Sequence, residues 1–202
     1  METLPVIILA AGRAQRMRGA DKLLEPVAGE PLLRRQARLA RALTSGPVIV
    51  ALPAPPHPRH EVLAGIDVTR LGVTDAGEGM NASLRAGFAA LPEGCAAAML
   101  LLADLPELTL HDLRKVARAV DLNSDSLIWR GATEAGQGGH PIIFAAPVFS
   151  QIAQLKGDSG AREVVAQAAN RVVLVPLPGE RARRDLDTPE DWAAWRCRMR
   201  DA

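Results

Sequence analysis

Apolar residues in this chain fall into two kinds of pattern. Short unbroken runs at Val6–Leu9, 48–52 and Ala97–Leu102 carry no polar face and predict strands buried on both sides. Between them, apolar residues recur at helical spacing. Leu32, Leu33, Leu39, Ala40 and Leu43 form one stripe with Gln36; Leu84, Phe88 and Leu91 form a second; Leu113, Val116, Ala117 and Val120 form a third, in a helix over 110–120 that starts at Thr109 or Leu108. Arg34, Arg35, Arg38 and Arg41 lie off the first stripe and read as a solvated face. Gly46-Pro47 closes this first unit, so the opening fifty residues read β-loop-α-β. That order favours a parallel sheet with a right-handed crossover. Shorter elements follow: a helix near 61–64, strands near 68–71, 126–129, 142–144 and 171–175, a glycine-containing loop over 131–139, and a helix ending at Ala169. Thr188, Pro189 and Glu190 open a C-terminal helix.

Bulk properties remove several function classes. A chain of 202 residues with 48% hydrophobic content fits one globular domain over 1–202. The net charge of +1 provides no global field for nucleic acid or a membrane surface. Only 3% of residues are aromatic and none is Tyr, which argues against a base-stacking platform. The apolar runs are far short of a membrane span, and the N-terminus lacks a signal-peptide layout. Cys95 and Cys197 form no paired motif, so reduced thiols and a cytoplasmic location are expected.

The chemistry concentrates where strands end. After Val6–Leu9 come Ala10, Ala11 and Gly12, whose small side chains leave the backbone N–H groups open to a ligand. Arg13, Arg16, Arg18 and Lys22 follow in a segment that also holds Gly19, which suits a polyphosphate. An ordinary turn with a basic surface is the alternative. The spacing matches neither G-x-x-x-x-G-K-[ST] nor G-x-G-x-x-G. Residues 75–87 place Gly77 and Gly79 before a helix whose free N–H groups face a ligand; the bland reading is a turn capped by Asn81 or Ser83. Ala97–Leu102 runs into Asp104, and a lone carboxylate at a strand's C-terminal end is a natural magnesium ligand. Asp185 and Asp187 alternate on an extended stretch, point the same way, and offer a second carboxylate to that metal. His140 stands at a loop-to-strand junction, where it either meets an anion or packs. Ser159 is a good N-cap, with Arg162 just beyond it. His57 and His60 lie three apart, but the loop offers no third metal ligand.

Several of these stretches, in chain order, resemble the MobA-like nucleotidyltransferases. Leu9-Ala10-Ala11-Gly12, Arg16-Met17 and Lys22 match the loop L-A-[AG]-G-x-x-x-R-M…K, with Arg18 standing between Met17 and Gly19 where many relatives have Met-Gly directly. Gly77-Glu78-Gly79-Met80 with Ser83 and Leu84, then Asp104-Leu105-Pro106, Gly139-His140-Pro141 and Asp185-Leu186-Asp187-Thr188-Pro189 resemble the family's further motifs, as does Gly157-Asp158-Ser159-Gly160-Ala161-Arg162. Ala11 and Lys22-Leu23-Leu24 resemble the cytidylyltransferase, MocA-like branch. The resemblance implies a three-layer, Rossmann-like α/β fold with a mostly parallel sheet and one antiparallel strand. It implies transfer of CMP from CTP to the terminal phosphate of Mo-molybdopterin, releasing pyrophosphate. Arg16, Lys22 and Asp104 would then act in catalysis. Leu9, Ala10, Ala11, Gly12, Arg13, Lys22, Gly77, Gly79, Met80, Ser83 and Asp104 would hold the nucleotide, and His140 and Arg162 the acceptor. Asp104 and Asp187 would hold Mg²⁺. A recipient molybdoenzyme or its chaperone is a further expected partner. A sugar or lipid phosphate acceptor, or a non-catalytic molybdopterin-binding chaperone, are the rival readings.

Overall fold

The computed structural model describes residues 3–74, 79–157 and 159–200. Seven strands form one sheet in the order β5-β4-β1-β6-β8-β7-β9. They are β1 (Val6–Leu9), β4 (Val48–Pro53), β5 (Thr69–Val73), β6 (Ala97–Leu102), β7 (Ile128–Ala132), β8 (Gly138–Ala145) and β9 (Val172–Pro176). A two-stranded ribbon pairs β2 (Pro26–Val27) with β3 (Glu30–Pro31). β8 runs antiparallel to both of its neighbours, β6 and β7, while the β1, β4, β5, β6, β7 and β9 pairings are parallel. The expected mostly parallel sheet with one antiparallel strand is therefore the fold observed.

The helices are α1 (Leu32–Leu43), α2 (Pro58–Glu61), α3 (Met80–Ala89), α4 (Leu110–Arg118), α5 (Phe149–Ala153), α6 (Arg162–Ala168) and α7 (Pro189–Arg200). Side chains alternate across a strand, so each apolar run serves two cores. Val6 and Ile8 join Leu33 of α1, Val116 of α4 and Trp192 of α7 on one face. Ile7 and Leu9 join Leu84 and Phe88 of α3, Ile152 of α5 and Val164 of α6 on the other. This is a helix–sheet–helix sandwich. At Gly87 a Cβ would stand 2.6 Å from Ile7 Cγ2, so glycine lets α3 lie close to β1.

Several local expectations change. The 131–139 loop is shorter than its polar composition suggests, because Gly131, Gly138 and Gly139 belong to the β7–β8 hairpin. They are small because neighbours crowd them: a Cβ on Gly139 would collide with the Ala182 carbonyl. α2 starts at Pro58 rather than near Glu61, with His57 Nδ1 accepting from the Arg59 N–H at 3.2 Å. His60 Nε2 is 2.8 Å from the Pro53 carbonyl, so the two histidines are engaged with different partners. Arg34 and Arg41 do not simply face solvent; they donate to loop carbonyls, including Val62, Ala64 and Gly46. Asn81 and Ser83 lie inside α3, whose N-cap is Gly79. Ser159 does not cap α6, which follows Ala161; Ser159 Oγ instead accepts from Asn81 Nδ2 at 3.4 Å. The Thr109 cap is present, as a reciprocal box with Asp112.

Candidate active site

Parallel strands bring their C-terminal ends to one edge of the sheet. β1 and β6 are neighbours, with Leu9 opposite Leu102, so Ala10–Gly12 and Asp104 emerge side by side. β8 pairs Ile142 with Leu100, and its antiparallel sense brings its N-terminal end, with His140, to the same edge. The 10–22 loop is anchored by Met17, buried in a single 3₁₀ turn over Gln15–Met17. Arg18 follows it in a left-handed conformation (φ 52°), and its Nη2 pairs with Glu190 Oε1 of α7 at 2.7 Å. The residue between Met17 and Gly19 is thus accommodated at the turn's end and directed toward α7. Gly12 and Arg13 are exposed and, with Ala11, Asp21, His57 and Arg59, line a cavity of about 490 Å³.

Beside this loop is a carboxylate centre. Lys22 Nζ donates to Asp104 Oδ2 and to Asp187 Oδ1, each at 2.6 Å. Arg16 Nη2 pairs with the other Asp187 oxygen, Oδ2, at 2.7 Å. Carboxylate oxygens of Asp104, Asp185 and Asp187 lie within 4.8 Å of one another. Leu186 between the last two is buried, which turns Asp185 and Asp187 to the same side. Their position is held by a reciprocal cap: Thr188 Oγ1 accepts from the Asp191 N–H at 3.1 Å, and Asp191 Oδ2 accepts from the Thr188 N–H at 2.9 Å.

Charge explains the titration behaviour. Burial opposes the Lys22 ammonium, but the Asp104 and Asp187 carboxylates together outweigh it and raise its pKa. Burial raises the Asp185 pKa, assisted by the charges of Asp187 and Asp104. Asp104 Oδ1 is buried and has no hydrogen-bond partner. An orphaned carboxylate oxygen beside two more carboxylates is a hard-oxygen donor set, which fits a divalent cation such as Mg²⁺ or Mn²⁺.

His140 Nδ1 is likewise buried and unpartnered. Burial, reinforced by the Arg130 charge, lowers the His140 pKa to about 4 despite nearby Asp104, so the ring is neutral at pH 7. Gly79 takes φ 98°, ψ −165° at the start of α3, a conformation open mainly to glycine. Met80 is exposed and lies beside Gly160, while Ser83 is buried in the helix. Asn81 donates to the Lys156 carbonyl at 2.8 Å, tying this helix start to the segment before α6. Arg162 is exposed on α6, and no ion pair among the described residues joins it to the carboxylate centre. Gly77 and Asp158 lie outside the described residues. Sequence reasoning passed over Asp21 and Arg59, which pair in the loop's floor, and set Asp185 aside as the lesser of two alternating carboxylates. No helix among the described residues is long and apolar enough to cross a membrane.

The chain is similar to known proteins in sequence and in fold. The model of the MobA-like NTP transferase domain matches residues 6–172. A protein of Synechococcus elongatus named "Probable molybdenum cofactor guanylyltransferase" is 33% identical over 192 residues, covering 93% of this chain and 95% of that one. A shorter match, 45% identical over 51 residues, covers 25% of this chain and 11% of the bifunctional protein GlmU of Chromobacterium violaceum. Among solved structures, Rv0371c of Mycobacterium tuberculosis superposes with a TM-score of 0.79 at 26% identity, covering 96% of this chain and 98% of that one. A manganese complex of Rv0371c gives 0.77 at 24% identity, covering 95% and 97%. With a family model matched over most of its length and a relative 33% identical along nearly the whole of both chains, this chain belongs to the MobA-like NTP transferase family, and it is a nucleotidyltransferase of that family.

Proposed function

We propose that residues 1–202 act as one domain that transfers CMP from CTP to the terminal phosphate of Mo-molybdopterin. One observation carries the reading: Lys22, in the loop after β1, is held between Asp104 and Asp187, so a polyphosphate grip and a divalent-cation site adjoin. An oxygen of the acceptor phosphate attacks the α-phosphorus of CTP. The bond from that phosphorus to the bridging oxygen breaks, and pyrophosphate leaves with the electron pair. The acceptor phosphate has a second pKa of about 6 and is largely dianionic at neutral pH, so no general base is needed. Catalysis then rests on alignment and charge neutralisation.

In this reading Leu9 to Arg13, Gly79, Met80 and Ser83 bind the nucleotide, with Gly77 beyond the described residues completing that set. Arg16 and Lys22 neutralise the triphosphate and the departing pyrophosphate. Asp104 and Asp187, with Asp185 adjoining, hold magnesium, which supplies charge neutralisation at the α-phosphate. His140 and Arg162 serve the acceptor side, His140 as a neutral ring. The product passes to a recipient molybdoenzyme or its chaperone.

Two observations bear on the base. Ala11 is buried at the end of β1 and lines the cavity there, and its methyl group favours a pyrimidine. The Synechococcus relative is named a guanylyltransferase, which favours GTP as the alternative donor. The test is incubation of the purified protein with Mg²⁺, Mo-molybdopterin and each nucleoside triphosphate separately. Pyrophosphate release with CTP and a cytosine dinucleotide by mass are expected. Product from GTP alone moves the chain to guanylyl transfer, product only with a sugar or lipid phosphate replaces the acceptor, and binding without pyrophosphate release overturns the enzyme reading.

A further inference from the structure

Arg59 is 2% exposed, yet it belongs to a short helix outside the stretches that resemble the family's motifs. Its guanidinium is bound on four sides. Nε donates to Asp21 Oδ2 at 2.7 Å and Nη2 to Asp21 Oδ1 at 2.8 Å. Nη1 donates to the Ala10 carbonyl at 2.6 Å and to the Gly12 carbonyl at 2.8 Å. The first pair is a planar fork on a carboxylate, a geometry lysine cannot reproduce. Asp21 Oδ1 also accepts from the Leu23 N–H at 3.0 Å, so this carboxylate sets the turn that contains Lys22.

One side chain therefore grips the loop at its beginning, through residues 10 and 12, and at its end, through residue 21. The contacts also set direction. In a trans peptide the N–H points opposite to the carbonyl. With the Ala10 and Gly12 carbonyls aimed at Arg59, the N–H groups of Ala11 and Arg13 aim away from it. Neither N–H donates to another group among the described residues. The guanidinium itself is neutralised by Asp21, so its contribution is geometric rather than a second positive charge for a ligand. α2 supplies the rigid base: Pro58 is its first residue and His57 caps it.

We infer that Arg59 is a positioning residue for the nucleoside triphosphate, clamping both ends of the 10–22 loop so that its free amides and Lys22 face the phosphates. The inference rests on the nucleotidyl-transfer reading. Isothermal titration with CTP and with GTP, in magnesium and without acceptor, tests it on the wild type, Arg59→Lys and Asp21→Asn. A positioning role raises Kd for the triphosphate, by roughly tenfold or more in Arg59→Lys and less in Asp21→Asn, while the binding stoichiometry of the folded protein stays the same. A role in stability alone lowers the stoichiometry and the melting temperature and leaves Kd where it was; that result overturns the inference. Should Arg59→Lys fail to fold, Asp21→Asn decides, since it keeps the side chain's shape and leaves every other residue of the loop unchanged. Wild-type affinity in a folded Asp21→Asn would then overturn it. A wild type that binds triphosphate but releases no pyrophosphate with any acceptor sinks the transferase reading and leaves this one standing; a wild type that binds neither triphosphate sinks both.

Discussion

Lys22 and Asp104, 82 positions apart in sequence, meet through an Nζ–Oδ2 ion pair of 2.6 Å. The pair joins the basic loop after β1 to the carboxylate after β6. Strand adjacency makes this possible, because β1 and β6 are neighbours in the sheet and end at the same level. The ammonium lies among the carboxylates assigned to a divalent cation, which makes each group's contribution separable by substitution.

Asp104→Asn keeps the side chain's volume but removes the charge and one hard-oxygen ligand. Turnover should fall by about a hundredfold or more, with the melting temperature changed by only a few degrees. Asp187→Asn should behave likewise. Pyrophosphate release over a magnesium series checks this, and ordinary turnover in Asp104→Asn at ordinary magnesium removes the proposed site.

Lys22→Ala separates grip from fold. Among the described residues the Lys22 ammonium is paired with the two carboxylates, and Lys22 belongs to neither hydrophobic core. Turnover should drop by about tenfold or more, which is more than any accompanying loss of stability accounts for. Arg16→Ala should follow the same pattern more weakly, since its side chain is 71% exposed. A large loss of melting temperature with full turnover would assign these residues to the scaffold instead.

His140 should leave a signature in the acid stability of the protein. Its native pKa of about 4 lies below the 6.5 of an unfolded histidine. Between those values the unfolded chain takes up a proton that the native state refuses, so stability is intact above pH 6.5 and is lost as pH falls toward 4. The slope from this group approaches about 1.4 kcal/mol per pH unit at most. In His140→Gln that component should vanish. Denaturant titrations of both proteins from pH 7 to pH 4 should therefore diverge in slope, and parallel curves would show that the native ring titrates as it does in the unfolded chain.

Base choice should respond to Ala11. One methyl contact is worth roughly 1–3 kcal/mol, so Ala11→Gly should relax a preference for CTP over GTP without reversing it. The ratio of kcat/KM for the two triphosphates in wild type and variant measures this. Equal use of CTP and GTP by the wild type removes the reason for the cytidylyl assignment.

Local regularities made much of the molecule legible in the sequence. A short apolar run of four to six residues with no polar face, bounded by turn residues, reads as a strand covered on both sides, so β1, β4 and β6 followed from Val6–Leu9, 48–52 and Ala97–Leu102. Period 2 set Asp185 and Asp187 on one side, and Thr109 and Thr188 announced their helices through their own side chains. What remained hidden depended on partners far along the chain. Nothing around Arg59 distinguishes it from the arginines of α1, because its role comes from Asp21 and from two carbonyls nearly fifty residues away. The turn cap at Asn81 or Ser83, read as the bland alternative, and the N-cap read at Ser159 are not observed: Asn81 and Ser83 lie inside α3, Asn81 donates to the Lys156 carbonyl and to Ser159 Oγ, and α6 starts only after Ala161. Whether Asp104 would find Asp187, whether Lys22 would lie between them, and whether His140 would be sealed and neutral beside them were decided by strand order and by the reversed direction of β8. Sequence patterns encode each residue's relation to its near neighbours and to water; which distant groups share a strand edge is set only when the sheet closes.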